Sequence, residues 1–343
     1  MIYLRSLTLT AFATAIVLFL NSIPAIAVDK LPPVMAGTIG QPTGQIAFMR
    51  DKNIWIMDAH GGHQMVVTEV GNADGRMSWS PDGKKIAFTR SGTVDMKGPD
   101  NLGGKHKIYD IFVAYIDSAL NGKTMWWYRL TDELGSRDPE WQADESILFY
   151  RDMNAREADA FLPNYQICTM DSAGGHFEVL RPDWQNMTEF LTSPTMNPSG
   201  EIAFVHLEKP SQGMYRPRGI AKLHRDRFLV SLDSVRTLSG KMEGFISPSF
   251  SPDGKWIAYL NNSMSEPGVY ISPADFSARY LVFAPPPGTT LQSFAPSFSP
   301  DSKWLTFSTR DGSIWICDIT GNGLKRLSGP GMDGAPAWSK TAK

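Results

Sequence analysis

Charged residues are scarce in this sequence, and neither sign dominates. Of the 343 residues, only 20% are Asp, Glu, Lys or Arg, and the formal net charge is −2. Together with a hydrophobic content of 42%, this excludes a disordered chain and a highly charged nucleic-acid binder, so we expect no nucleic-acid partner. Glycine and proline are frequent, with 30 and 24 residues, and they predict a fold with many turns.

Long hydrophobic runs are also missing, except at the start of the chain. The basic segment Met1–Arg5 precedes the apolar stretch Leu7–Leu20, and Ala25-Ile26-Ala27 has the small-x-small pattern of a cleavage site. These features predict a secretory signal over residues 1–27, cut after Ala27, and a periplasmic or secreted protein with no membrane span once the signal is removed. The alternative is a membrane anchor, although the apolar stretch is shorter than the roughly 20 residues that span a bilayer.

An internal repeat is the strongest signal. In its clearest form an aromatic residue is followed by Ser-Pro-Asp-Gly-Lys and then by a strand reading Ile-Ala-Phe. The copies begin, in chain order, at Trp79, Trp141, Met196, Phe250, Phe298 and Trp338. The last copy is truncated, and Ile46-Ala47-Phe48 supplies a matching second half near the start. In the clearest copies the Pro-Asp-Gly segment predicts a tight turn between two strands, with Gly at positive φ, and the weaker copies are expected to turn at the same place.

Six such units of roughly 50 residues match the size of propeller blades. We therefore expect an all-β, six-bladed β-propeller over residues 44–339 with four strands per blade. In the fourth unit the third and fourth strands are expected at Phe228–Asp233 and Leu238-Ser239. The ring is expected to close where Pro336–Ser339 lies beside Gln45–Arg50, because closure protects the strand edges. Residues 28–43 are expected to form an extended leader, and residues 340–343 a tail.

These repeats resemble those of the TolB family. The resemblance rests on the Ser-Pro-Asp-Gly-Lys turn, the Ile-Ala-Phe strand and a following strand such as Ile54-Trp55-Ile56-Met57-Asp58, and it covers residues 44–339. It implies a periplasmic protein of the Tol-Pal system that binds a peptidoglycan-associated lipoprotein through its propeller and an inner-membrane partner through an N-terminal segment. The family also carries an α/β domain before the propeller, whereas only 17 residues separate the predicted cleavage site from the first strand here. We therefore expect a TolB-like propeller that lacks this domain.

Long insertions are expected on one rim of the propeller. Loops between second and third strands open on the same rim, and three of them are long, at Ser91–Lys105, Asp152–Pro163 and Glu208–Asp226. The linker Pro182–Thr192 joins this rim. Loops on a rigid scaffold often carry recognition, and the alternative is tolerated surface drift without function.

Basic and aromatic side chains are expected on the same rim. Repeat symmetry places a ring of residues two positions after the Phe of each second strand, and the third insertion adds more. The candidate binding residues are Arg50, Arg90, Arg151, His206, Asn261, Tyr215, Arg216 and Arg218. Such a rim could receive an envelope protein, an anionic small ligand or a carbohydrate. The alternative is that the arginines pair with local acids such as Asp51, Asp152 and Glu157.

Catalytic patterns are absent from the sequence. There is no Gly-x-Ser-x-Gly elbow and no His-Glu-x-x-His pattern, so no catalytic residue, metal or cofactor is predicted. His63 and His176 share the frame Asp-x-x-Gly-Gly-His, which predicts equivalent turns on the opposite rim. We expect an interaction scaffold. The alternative is a secreted enzyme, a polysaccharide lyase or a lactonase-like hydrolase, with its site on the inserted rim.

Two further features predict packing in place of chemistry. Cys168 and Cys317 occupy equivalent strands of different units, so a disulfide between them is not expected, and both should be buried thiols. Trp126-Trp127-Tyr128 begins a fourth strand, which favours partly buried packing over sugar stacking. The protein is expected to be a monomer.

Overall fold

A computed structural model describes residues 39–96, 104–116, 126–156, 163–180, 189–208, 216–224, 244–263 and 266–342. Its regular elements in these ranges are all β-strands. In chain order they are β1 (Gln45–Arg50), β2 (Asn53–Asp58), β3 (Met65–Thr68), β4 (Ala73–Trp79), β5 (Lys85–Met96), β6 (Gly104–Tyr115), β7 (Trp127–Arg129), β8 (Ser136–Trp141), β9 (Ile147–Asp152), β10 (Tyr165–Met170), β11 (Glu178–Val179), β12 (Glu189–Met196), β13 (Glu201–Glu208), β14 (Arg216–His224), β15 (Phe245–Phe250), β16 (Trp256–Asn261), β17 (Gly268–Pro273), β18 (Tyr280–Phe283), β19 (Ser297–Phe298), β20 (Trp304–Thr309), β21 (Ser313–Asp318), β22 (Lys325–Ser328) and β23 (Asp333–Trp338).

These strands form antiparallel sheets in which chain neighbours pair. Sheet 1 has the order β23-β1-β2-β3, and the other sheets follow along the chain as sheet 2 (β4–β7), sheet 3 (β8–β11), sheet 4 (β12–β14), sheet 5 (β15–β18) and sheet 6 (β19–β22). Five sheets have four strands, where the repeats predict six such sheets. Sheet 4 has three strands within the described ranges. The described ranges contain no helix with the length and apolar character of a membrane span.

The third strand of sheet 4 differs from the prediction. It is β14, whereas Phe228–Asp233 and Leu238-Ser239 lie outside the described residues. Strand β14 pairs along the whole of β13, from Glu201↔His224 to Glu208↔Arg216. The connection from β13 to β14 is shorter than the connection from β13 to Phe228–Asp233, so closing it costs less conformational entropy. This difference favours the pairing of β13 with β14.

For the same reason, parts of the predicted insertions and of the linker belong to paired strands and not to loops. Strands β5 and β6 stay paired as far as Met96↔Gly104, so most of Ser91–Lys105 is an extended hairpin. Much of Glu208–Asp226 belongs to β14, and the end of the linker Pro182–Thr192 belongs to β12. Residues 153–156 of the remaining insertion form turns, and 157–162 lie outside the described residues.

The Ser-Pro-Asp-Gly-Lys segments form the predicted turns. Gly83 and Gly254 both have φ of +70°. In the first copy the Ser80 hydroxyl donates to Asp82 Oδ1 at 2.6 Å, and the same carboxylate oxygen accepts from Lys84 N at 3.0 Å. The Ser80 hydroxyl oxygen also accepts from Lys85 N at 2.9 Å. The motif thus satisfies the backbone of its own turn, which explains its recurrence.

The hydrophobic core lies between the sheets. Six apolar clusters of buried residues each draw on two neighbouring sheets, around the whole series from sheets 1 and 2 to sheets 6 and 1. One cluster joins Ile54 of sheet 1 to Phe88 of sheet 2, and another joins Trp304 of sheet 6 to Phe48 of sheet 1. Both faces of the middle strands are therefore buried, which explains the continuous apolar runs such as Ile46-Ala47-Phe48.

The two ends of the described chain meet in sheet 1. Strand β1 pairs antiparallel with β23, with Ile46 opposite Trp338 and Arg50 opposite Asp333. The first strands of neighbouring sheets also contact one another, in the order β23, β4, β8, β12, β15, β19 and back to β23. The fold is an all-β propeller, as predicted. Cys168 and Cys317 are buried and form no disulfide, which confirms the expected pair of thiols.

The pairing of β1 with β23 can be tested by truncation. Deleting residues 334–343 removes most of β23, including Trp338, whose side chain is 2% exposed and packs between sheets 6 and 1. We expect the truncated chain to lose cooperative thermal unfolding in circular dichroism, because loss of a buried Trp alone costs about 3–5 kcal/mol. A chain lacking only residues 342–343 should unfold as the full chain does. An unchanged melting temperature after the larger deletion would contradict the pairing.

Candidate functional site

A cavity of about 480 Å³ lies among the first strands of the sheets. We call it the channel cavity, because β23, β4, β8, β12, β15 and β19 all contribute to its wall. Its lining includes Pro81, Pro198 and Pro252, which belong to the turns between first and second strands. The cavity therefore opens toward the rim that carries these turns, here called the turn rim, and not toward the rim where the sequence predicts insertions.

Six residues that border the channel cavity are large and apolar, and the five aromatic ones among them are at most 8% exposed because they pack between the sheets. They are the residues at the repeated aromatic position, namely Trp79, Trp141, Met196, Phe250, Phe298 and Trp338. Between them lie hydroxyl and amide side chains such as Ser249, Ser297 and Asn197. A cavity of this volume with a few polar groups in its wall is large enough for a small ligand or an inserted side chain.

Hydrogen bonds between sheets run along the cavity wall. Each first strand is the edge of its sheet, so the backbone N–H groups on its open side need other partners. At four places the side chain just before the aromatic position accepts from the next sheet's backbone: Ser78 Oγ from Trp141 N at 3.0 Å, Glu140 Oε1 from Met196 N at 3.1 Å, Thr195 Oγ1 from Phe250 N at 3.1 Å, and Ser297 Oγ from Trp338 N at 2.9 Å.

Glu140 departs from the repeat at this position. The equivalent residues of the other sheets are small, namely Ser78, Thr195, Ser249, Ser297 and Ala337. The longer side chain accepts with Oε1 from both Met196 N and Thr195 Oγ1 at 3.1 Å, and its Oε2 forms an ion pair with Arg76. Glu140 is buried, so this carboxylate depends on these partners for its solvation.

Arg76 reaches across the channel. Its guanidinium extends from sheet 2 to Glu140 of sheet 3, donates from Nη1 to the Pro194 carbonyl of sheet 4 at 3.0 Å, and lies with Nη2 3.5 Å from Ser249 Oγ of sheet 5. One side chain thus connects four sheets. We call this contact with Glu140 the Arg76–Glu140 bridge.

Lys340 follows the last strand and also lines the cavity. The residue is exposed at the turn rim, and nearby protein atoms partly desolvate its amine. This desolvation lowers the pKa of Lys340 below its usual value, the neighbouring Arg76 charge acts in the same direction, and Glu140 opposes both. Within the described chain the amine has no hydrogen bond or ion pair.

The predicted arginines lie elsewhere, and polar partners hold them. Arg50 donates from Nε and Nη2 to the two carboxylate oxygens of Asp333, both at 2.7 Å, and this hydrogen bonding raises the arginine pKa. Arg151 Nη2 lies 2.7 Å from Glu133 Oε2. Arg90 donates from Nε to Asn72 Oδ1. Pairing with acids, the alternative to a binding rim, is therefore present for Arg50 and Arg151, although the acids differ from those expected.

The other predicted rim residues do not form an exposed ring with them. His206 is 2% exposed and Asn261 is fully buried, because both lie in strands covered on two faces. Arg216 and Arg218 lie in β14, and their side chains are outside the described part of the structure, as is Tyr215. Ligand binding at this rim stays a prediction.

The two Asp-x-x-Gly-Gly-His segments form equivalent turns, as predicted. Asp58 Oδ2 lies 2.7 Å from His63 Nδ1, and Asp171 Oδ2 lies 2.8 Å from His176 Nδ1. Burial raises the pKa of Asp58, but the hydrogen bonds from His63 and two backbone N–H groups outweigh it and lower the pKa overall. Among the described residues, no three His, Cys, Asp or Glu side chains are grouped as metal ligands.

The Trp126-Trp127-Tyr128 segment is packed only in part. Trp127 is half-buried, with its ring centroid 5.5 Å from that of Phe112, and the Tyr128 hydroxyl donates to the Ser172 carbonyl at 3.3 Å. Trp126 is 82% exposed, contrary to the expected burial. It precedes β7, so sheet pairing does not hold it against the core.

Comparison with known proteins shows the fold and not the family. No family model matches the chain. The uncharacterized peptidase YuxL of Bacillus subtilis is 27% identical over an alignment of 210 residues that covers 54% of this chain and 29% of that protein, so less than a third of its length is covered. TolB from Acinetobacter baumannii has a TM-score of 0.62 at 21% identity, covering 90% of this chain and 69% of that one. A putative TolB from Agrobacterium tumefaciens has a TM-score of 0.56 at 14% identity, covering 84% and 90%. The chain has a TolB-like propeller fold.

Sequence reasoning did not select Arg76, Glu140 or Lys340. The signal that could have found them is a break in the repeat. When the units are aligned on the aromatic position, Glu140 replaces a small residue, Arg76 stands where the other sheets have Asp138, Ser193, Ser247, Ala295 and Ala335, and Lys340 stands where the first copy has Pro81.

The Arg76–Glu140 bridge predicts a stability effect. Glu140→Ala removes the counter-ion of Arg76 and the acceptor for Met196 N, so we expect a loss of about 3–5 kcal/mol in the free energy of unfolding. Glu140→Gln keeps an acceptor and should cost less. Urea denaturation measures both changes.

A double variant is the matched control for this prediction. Arg76→Met combined with Glu140→Thr removes both charges and restores a residue that the repeat uses at position 140. Its cost should be smaller than the sum of the two single costs, because each single change leaves one charge buried without its partner. Strict additivity would show that the two side chains do not interact.

Proposed function

We propose that this protein is an exported, TolB-like propeller that serves as a binding scaffold at the cell envelope. Its ligand, or a segment of its protein partner, enters the channel cavity from the turn rim. The observation that carries this proposal is the cavity of about 480 Å³, to which all six first strands contribute and in which a lysine amine has no partner within the described chain.

A closed ring of six blades supports this role. We infer that the six sheets are the blades of one ring, because apolar clusters join every neighbouring pair and β23 completes sheet 1. Rings of this kind hold the cavity wall rigidly, since each first strand is fixed by its own sheet and by bonds to the next. Rigid walls lower the entropy cost of binding.

Export is inferred from the sequence. The segment 1–27 has the three parts of a secretory signal, and the likeness to two TolB propellers is consistent with an envelope protein. The partner classes remain an envelope protein, an anionic small ligand or a carbohydrate, bound by a protein that acts as a monomer. The geometry of the fold does not choose among them.

The export proposal predicts the mature amino terminus. Protein purified from its own host should have the mass of a chain that begins at Val28. The double variant Ala25→Asp/Ala27→Asp should keep the uncleaved mass, because signal peptidase requires small residues at these positions. A full-length mass for the unaltered protein, found in the cytoplasm, would contradict export.

The binding proposal predicts a site-specific crosslink. A photoreactive phenylalanine analogue at Ala143, an exposed residue of the cavity mouth, should crosslink to one defined species in intact cells, identified by mass spectrometry. The same analogue at Val66, which is 39% exposed on the outer strand β3, is the matched control. Equal labelling from both positions, or none from Ala143, would remove the turn rim as the binding face.

A further inference from the structure

Three residues of sheet 4 break the repeat, and they lie together near the turn rim. Asn197 and Glu201 belong to the turn between β12 and β13, where the clear copies of the motif have serine and lysine. Lys222 lies in β14 opposite Ala203. The equivalent residues in the third strands of the other sheets are Ile56, Val113, Thr169, Ile271 and Ile316. A lysine at this position therefore replaces a residue without charge.

The carboxylate of Glu201 connects the other two side chains. Lys222 Nζ donates to Glu201 Oε1 at 3.2 Å. Asn197 Nδ2 donates to Glu201 Oε2 at 3.1 Å. An amine and a carboxamide are thus held against the two oxygens of one carboxylate, so a proton that leaves the amine has a short route to the carboxamide nitrogen.

The carbonyl oxygen of the Asn197 side chain is surrounded by donors. Its Oδ1 accepts from Ser199 N at 3.0 Å, from Ser199 Oγ at 2.8 Å and from Glu201 N at 3.0 Å. Asn197 is 5% exposed, so these contacts are largely shielded from solvent. Donors at such distances stabilise the negative charge that develops on a carbonyl oxygen when a nucleophile attacks its carbon.

Sheet 5 holds the amine in place from the other side. Lys222 Nζ donates to the Ala274 carbonyl at 2.6 Å, and it lies 5.1 Å from the centre of the Phe276 ring. Phe276 is buried, and the side chain of Lys222 is 21% exposed. These contacts fix the end of a long side chain, which lowers the entropy cost of a reaction with a neighbouring group.

We propose that Lys222 and Asn197 join in an intramolecular isopeptide bond, with Glu201 as the catalytic acid and base. Lysine is a nucleophile as the neutral amine, and a carboxylate in contact with it accepts the proton that it must lose. Glu201 Oε1 is in this position, and Oε2 contacts the nitrogen that must leave. The bond would tie β14 to the turn that precedes β13.

The reaction balances without any further reactant. Glu201 takes a proton from the ammonium group of Lys222, and the neutral amine attacks Cγ of Asn197. The Nζ–Cγ bond forms and the Cγ–Nδ2 bond breaks. Protons from Nζ reach Nδ2 through Glu201, and Nδ2 departs as an ammonium ion. The products are a neutral amide and this ion, and no atom is oxidised or reduced.

Mass spectrometry of the full mature chain tests the bond. The intact protein should be lighter than its sequence by the mass of one ammonia molecule. A tryptic digest should contain a branched peptide in which Lys222 is joined to Asn197, because trypsin does not cleave after an acylated lysine. The branched peptide is required, since an asparagine that cyclises to a succinimide loses the same mass.

Variants separate the roles of the three residues. Lys222→Arg keeps the charge but supplies no amine, and Asn197→Ser restores the residue of the clear copies, so both should have the full mass. Glu201→Gln should slow bond formation by about a hundredfold or more, measured as the branched peptide in protein sampled at intervals after synthesis. Lys255→Arg is the matched control, at a lysine whose side chain is 77% exposed in the turn of sheet 5, and it should keep the bond. Circular dichroism shows that each variant is folded.

Three results would overturn the inference: the full mass in the unaltered protein, a loss of ammonia without the branched peptide, or an unchanged rate in Glu201→Gln. The first two would show that the side chains form only an ion pair and hydrogen bonds, and the third would remove Glu201 as the catalytic residue. The proposed binding function does not depend on this bond, and crosslinking from Ala143 tests it separately.

Discussion

The open edge of each first strand is the constraint on which the channel depends. An edge strand in a sheet leaves alternate N–H and C=O groups without partners, and in this protein the first strands of the described sheets line one cavity. In this protein short side chains provide hydrogen-bond partners for some of these backbone groups. Ser78, Thr195 and Ser297 each accept from the backbone of the next sheet, so the hydroxyl groups that fasten the sheets also shape the cavity.

The charged residues of the cavity follow from the same constraint. Glu140 makes the same backbone contact as the serine or threonine of the other sheets, since it accepts a hydrogen bond from Met196 N. Its longer side chain also brings a negative charge to the cavity wall. That charge requires a cation, and Arg76 supplies it from the neighbouring sheet. A buried pair of this kind adds little net stability compared with apolar residues. The neighbouring sheets make the same backbone contacts with uncharged Ser78, Thr195 and Ser297, so folding of the wall does not require this pair.

How much of the molecule could be predicted from sequence depended on whether the feature repeats. The turn at Ser80–Lys84 and the buried thiols Cys168 and Cys317 were predictable, because each follows from a local pattern or from equivalence between units. The length of β14 and the continuation of the β5–β6 pairing to Met96↔Gly104 could not be predicted, because the repeat motif contains no residue that marks where the pairing stops. Repeat symmetry grouped His206 and Asn261 with Arg50, yet it could not show that His206 and Asn261 are buried while Arg50 is bound to Asp333.

The pairing of β1 with β23 also sets an order of events for a newly made chain. Gln45 N donates to Ser339 Oγ across a separation of 294 residues. Strand β1, the first of the described strands to be synthesised, therefore pairs early with β2 but receives its other neighbour, β23, last. Until then the Ile46-Ala47-Phe48 edge remains open, and contacts of such long range form slowly. A chaperone that covers this hydrophobic edge during synthesis and transport would protect the chain from aggregation until its final residues arrive.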